Sequence, residues 1–146
     1  MNTKAPLEHP EKPRYLTFEA GRHLFAVSTA VVSIVMPPGR ALPEGTNVID
    51  IVGLLAAGER RAERGCFVIL GGGAPAAPPV ALTATRALEV VTFDPSALLP
   101  LPGFLFSATN PFHGLLPPGT CAGAMSGRAV FVLGRPEAIL AAAGAA

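Results

Sequence analysis

The sequence predicts a mainly β protein with a small antiparallel barrel architecture. Three observations carry that prediction. Short runs rich in Val, Ile, Phe and Thr recur along the 146-residue chain, each bounded by Gly, Pro, Asp or Asn. The 16 glycines and 16 prolines interrupt the chain too often for long helices. Half of the residues are hydrophobic and only 14% are charged, against about 25% in ordinary soluble domains, so the chain has ample material for a packed core. Its length suits one compact domain, or two small subdomains sharing a core.

The elements follow in chain order. Residues 1–14, "MNTKAPLEHPEKPR", are polar and proline-broken and read as a flexible arm. "YLTFEA" (15–20) alternates, with Leu16 and Phe18 facing one way and Tyr15 and Thr17 the other. "GRH" (21–23) reads as a turn and "LFAVS" (24–28) as the return strand of a hairpin. "TAVVSIVM" (29–36) continues as a strand, or as a turn plus strand, and Pro37 and Pro38 end it because proline removes the ladder donor. Residues 37–46 form a loop and "NVI" (47–49) a short strand. "DIVGLLAAGE" (50–59) is a short helix with Asp50 at its N-cap and Gly58 at its C-cap. "ERRAER" (59–64) is a charged, solvated connection.

"CFVIL" (66–70) is a strong strand, and "GGGAPAAPP" (71–79) is a loop. Two strands follow, "VALTATR" (80–86) and "LEVVTF" (88–93), with Arg86 and Glu89 marking a turn between them. Val80, Leu82 and Ala84 share one face, and Val91 and Phe93 return to a core. "DPSALL" (94–99) is one helical turn, capped by Asp94 with Pro95 at its first position. Residues 103–120 are irregular, with at most one short strand. "GAMSGRAVFVL" (123–133) gives a last strand pair or one long strand, and "RPEAILAAA" (135–143) a terminal helix with Pro136 in its first turn. The strands fall into two halves, 15–58 and 65–133, divided by the charged connection.

Composition excludes several functions. A net charge of +1, with no basic stripe interleaved with aromatics, gives no field to draw nucleic acid or acidic lipid. The longest apolar run, residues 24–36, is too short for a bilayer, which needs about 20 residues. The first 14 residues also lack the apolar core of a secretory leader, so a cytoplasmic protein without direct membrane insertion is expected. Cys66 and Cys121 form no C-x-x-C pair. A disulfide between them stays open, with reduced thiols the simpler reading.

Candidate chemistry is sparse. His9, His23 and His113 are scattered and supply no metal-ligand spacing with the cysteines. His113 could be imagined as a base for Cys66 or Cys121, but no local signature accompanies it. Asp50 and Asp94 could be paired as acid and base, yet each already has a capping role. "GGG" (71–73) lacks the Lys-Ser/Thr and the helix of a phosphate loop. No catalytic residue, cofactor or metal site is therefore expected. Residues 65–127 hold only three charged side chains, Arg86, Glu89 and Asp94. Much of that surface is buried in the fold or meets a partner. The reading is a non-catalytic interaction module.

The order of these segments resembles the CheW-like domains, adaptors of bacterial chemotaxis arrays. "PPVALTATRALEVVTFDPSALLPLP" (78–102) is similar to the family's second half, which reads valine–glycine–aliphatic–x–valine–aspartate–x–valine, then an "EVV" strand, then an acidic-capped turn ending in proline. "YLTFEAGRHLFAVSTAVVSIV", "NVIDIVGLL" and "AVFVLGRPEAIL" resemble its opening hairpin and following strand, its strand-to-helix junction, and its closing strand and helix. The resemblance spans about residues 15–141. The sequence departs from the family in lacking an asparagine–leucine–arginine–glycine run before Val48. Arg40 lies nearby in a different context, Ala81 and Thr85 replace a glycine and an aspartate, and Gly134 replaces a late aspartate.

The resemblance implies two SH3-like β-barrel subdomains packed around a shared core, with short helices and a C-terminal helix. It further implies a scaffold that binds a CheA-type histidine kinase, a methyl-accepting chemoreceptor, or both. Docking by strand edge and groove would use Val31, Ile34 and Met36 near the groove and Val48 and Ile49 at a barrel edge. The alternative is a diverged stand-alone barrel that binds another protein or a small apolar ligand.

Overall fold

The computed structural model describes residues 13–55, 65–71, 79–101, 110–120 and 127–144. Among these residues nine strands form: β1 (Arg14–Ala20), β2 (His23–Ser28), β3 (Val32–Met36), β4 (Asn47–Ile49), β5 (Cys66–Leu70), β6 (Val80–Ala84), β7 (Arg86–Thr92), β8 (Phe112–Leu116) and β9 (Val130–Leu133). Two α-helices, α1 (Ile51–Leu55) and α2 (Pro136–Gly144), and a 3₁₀ turn over Pro95–Ala97 complete the described elements. The expected Gly58 cap, the 59–64 connection, most of the 71–79 loop, Cys121 and His9 lie outside the described residues, as does nearly all of the expected arm. Arg14, assigned to the arm, instead opens β1.

The strands form two sheets. One has the order β7-β1-β2-β9-β8 and the other β3-β5-β6-β4. The sheets do not follow the two halves of the sequence. β1 and β2 join the late strands β7, β8 and β9, while β5 and β6 join β3 and β4. Alternation within each strand says which residues share a face, but not which distant strand is the neighbour. Four pairings join the two halves, β1 with β7 and β3 with β5 antiparallel, β2 with β9 and β4 with β6 parallel.

The β1–β2 hairpin is tight. Ala20 pairs with His23, so Gly21 and Arg22 alone make the turn and His23 begins a strand. Gly21 has φ 61, and among the described residues no non-glycine residue has positive φ. Positive φ at the first central position only is the type II′ requirement, which suits the twist of the flanking strands.

The break between β6 and β7 is shorter than expected. Arg86 and Glu89 mark no turn, because both lie in β7. Thr85 alone carries the chain from one sheet to the other. It can do so because its neighbours bond to it. Its N–H donates to the Glu19 carbonyl at 2.7 Å, and its hydroxyl accepts from Gly21 N–H at 3.3 Å. Its own carbonyl presses on Gly65, where a Cβ would lie 1.8 Å away, so only glycine fits.

Among the described residues, buried apolar side chains fall into three clusters. The largest lies between the sheets and takes Phe18, Phe25 and Val27 from one, Val68, Leu70 and Leu82 from the other, and Ile139 from α2. Phe25 is its aromatic centre, with ring centroids 5.5 Å from Phe18, 5.8 Å from Phe131 and 6.3 Å from Phe112. The second cluster, Leu24, Ala26, Phe93, Leu116, Val130 and Val132, lies on the other face of the five-stranded sheet. The third, Met36, Phe67, Ile69 and Ala81, lies on the other face of the four-stranded sheet. Each sheet thus gives one face to the shared core and carries a smaller apolar cluster on the other. Among the described residues no helix is long and apolar enough to cross a membrane.

Candidate protein-docking surface

The outer side of the four-stranded sheet is the candidate surface. Its strands β3, β4, β5 and β6 contain no charged residue. Cross-strand register places Ile34 opposite Ile69, Ile69 opposite Ala81, and Ala81 opposite Val48. Directly paired residues project to the same face, so these four form one row across the sheet. Its centre is buried, while its ends are open: Ile34 is 50% and Val48 52% exposed. The ends lie on the two edge strands. Three strand spacings separate them, at most about 14 Å. Half-buried Leu42 from the 37–46 loop packs on the third cluster.

A bulge sets this geometry. β3 pairs Val32 with Leu70 and then Ile34 with Ile69, leaving Ser33 as the extra residue. Strict alternation would put Val32 and Ile34 on one face. With Ser33 inserted, Val32 packs on the shared core and Ile34 turns outward. Val35, next to it, is also exposed.

The five residues suggested by the sequence are therefore not equivalent. Ile34 and Val48 face outward, as ends of the same row. Met36 is buried in the third cluster and Ile49 in the shared core. Half-buried Val31 lies in the β2–β3 turn, where its N–H donates to the Ser28 carbonyl at 3.1 Å and its carbonyl accepts from Gly71 N–H at 2.9 Å. Val35, Val90 and Leu99 are exposed apolar residues that the sequence reading did not single out. Edge position, which depends on strand order, was the missing signal.

The residues weighed for chemistry are dispersed. Cys66 is a free thiol buried in the shared core on β5, and burial pushes its pKa up against the smaller opposing effect of the Ala87 N–H. His113 is exposed on β8, in the other sheet. Asp50 and Asp94 do cap. Asp50 Oδ1 accepts from Val52 N–H at 3.2 Å, and Asp94 Oδ1 accepts from Ser96 N–H at 3.0 Å and its hydroxyl at 2.9 Å. Among the described residues no three His, Cys, Asp or Glu side chains stand together as metal ligands would.

The fold is thus two small sheets, each with a smaller apolar cluster on its outer face and one core between them. No family model matches the sequence, and no curated protein matches it. The comparison with solved structures does give a match. The crystal structure of the scaffolding protein TtCheW from Thermoanaerobacter tengcongensis superposes with a TM-score of 0.59 at 15% identity, covering 86% of this chain and 86% of that one. The chain therefore has the CheW-like fold of two SH3-like subdomains, in diverged form.

Proposed function

We propose that this chain is a non-catalytic, cytoplasmic adaptor of chemotaxis-type signal transduction, coupling a methyl-accepting chemoreceptor to a CheA-type histidine kinase. The observation that carries this reading is the fold shared with a CheW scaffolding protein over 86% of both chains. The uncharged sheet supports it, with exposed Ile34 and Val48 on its two edge strands, because apolar edge positions are what strand addition uses. Ile34 and Val48 make contact, while Val31, Met36 and Ile49 hold the two edges in position beneath them.

Calorimetric titration of the full chain with the kinase regulatory domain and with a receptor tip from the same cell tests this. Binding to either, weakened by Ile34→Lys or Val48→Lys, is the expected result. A folded chain that binds neither overturns the reading. It would leave the stand-alone barrel, which the absent asparagine–leucine–arginine–glycine run favours.

A further inference from the structure

The five-stranded sheet carries a second outward surface of opposite chemistry. Glu19 on β1 pairs directly with Arg86 on β7, and Arg86 Nε donates to Glu19 Oε1 at 3.0 Å. Arg128, just before β9, donates from Nη1 to Glu19 Oε2 at 3.5 Å and from Nη2 to the Arg22 carbonyl. Both oxygens of one carboxylate are thus engaged by two different guanidiniums, and the local balance stays positive. Glu19 is largely covered, with its side chain 19% exposed, whereas Arg86 and Arg128 are 67% and 43% exposed. Arg86 commits only Nε, so its two terminal nitrogens have no partner among the described residues.

The placement is specific. The row Arg86–Glu19–Leu24–Val130 lies on the face that carries the second cluster, away from the shared core. The Ile34–Val48 row lies on the face of the other sheet that also points away from that core. The two rows therefore lie on different sheets, each on the face turned away from the shared core. With strand order β7-β1-β2-β9, the two arginines flank Glu19 from either side. Cations held apart in this way suit carboxylates spaced along a segment better than one compact anion. Both guanidiniums are already tethered, so less side-chain entropy is lost when a ligand engages them.

We propose that Arg86 and Arg128 form a docking site for an acidic segment, a stretch of Asp and Glu side chains, on a partner protein. This site is independent of the adaptor reading above and uses the other sheet.

Fluorescence anisotropy with a labelled deca-glutamate peptide and the full chain at low salt tests it. Binding is expected to weaken as salt rises, and Arg86→Gln or Arg128→Gln to weaken it by about fivefold each, the scale of one exposed ion pair. Arg40→Gln and Arg135→Gln remove the same charge elsewhere and should leave affinity unchanged. Equal weakening by all four variants would mean diffuse attraction and overturn the site, as would absence of binding. Displacement of the peptide by equimolar inorganic phosphate would also overturn it, in favour of a small-anion site. Should Arg86→Gln fail to fold by thermal melting, Arg86→Lys keeps the charge and should retain most of the binding; loss there with a folded chain counts against the proposal. None of these outcomes depends on the kinase or receptor titration.

Discussion

Among the described residues, side-chain polar contacts tie the strands of the five-stranded sheet together, and the four-stranded sheet has almost none. In the first, Thr17 is wholly buried and closes a bulge. Leu16 pairs with Val90 and Phe18 with Ala87, so two residues of β7 face Thr17 alone. The Thr17 hydroxyl donates to the Glu89 carbonyl at 2.6 Å and accepts from Glu89 N–H at 3.1 Å, filling the gap in the ladder. Glu19, Arg86 and Arg128 close the end of the same sheet. The four-stranded sheet has a smaller outer cluster, no charge, and apolar residues at both edges. Most of its burial comes from the face it gives to the shared core. One sheet is secured on its own account, and the other leans on it and carries exposed apolar residues on its edge strands. Unprotected apolar edges are a hazard that monomeric sheets ordinarily blunt.

That contrast can be broken most strongly at its common support. Phe25→Ala removes the aromatic centre of the shared core and should cost about 3–5 kcal/mol, destabilising both sheets in a single transition when unfolding in urea is followed by circular dichroism. Met36→Ala, in the smaller third cluster, should fall near the low end of the range for such truncations, about 2 kcal/mol. Equal losses at the two sites would erase the difference between the clusters.

Thr17→Val keeps the shape but strips the bulge of its hydroxyl, leaving the Glu89 N–H and carbonyl unpaired. The expected loss is about 1–3 kcal/mol. Amide exchange should quicken along β7 and β1 but not along β5 and β6.

Ile34→Lys and Val48→Lys address the open edges. Exposed positions of this kind change stability by less than about 0.5 kcal/mol, so melting should be nearly unmoved while adaptor binding falls. A large drop in melting temperature would show that the edges are structural.

The smallest effect is at Cys66. Burial raises its pKa, so the native thiol holds its proton where the unfolded one has lost it. Stability is full below the ordinary thiol range and falls as pH rises through it towards the native value. Cys66→Ala should flatten that alkaline slope.

Much of this was legible in the chain itself. Alternation in "YLTFEA", the β-branched run "CFVIL", the proline stops and the two aspartate caps located strands, loops and short helical turns, because each depends on neighbours a few residues away. Thr85 was legible only as a departure from the family pattern. In the fold it is the single-residue switch between sheets, with its N–H and hydroxyl joined to β1 and its turn. The candidate surface was half legible: a charge-poor stretch was visible, but not which apolar residues stay outside it.

The sequence by itself determined the class of protein, the local elements and the scarcity of catalytic groups, since composition, period and capping are short-range properties. Only the tertiary structure decided that β1 and β2 lie with β7, β8 and β9, that Ser33 turns Ile34 outward, and that two arginines distant in sequence share Glu19. Those outcomes depend on which remote strands pair and on a one-residue slip in register, and a slip of one residue sends every following side chain to the other face.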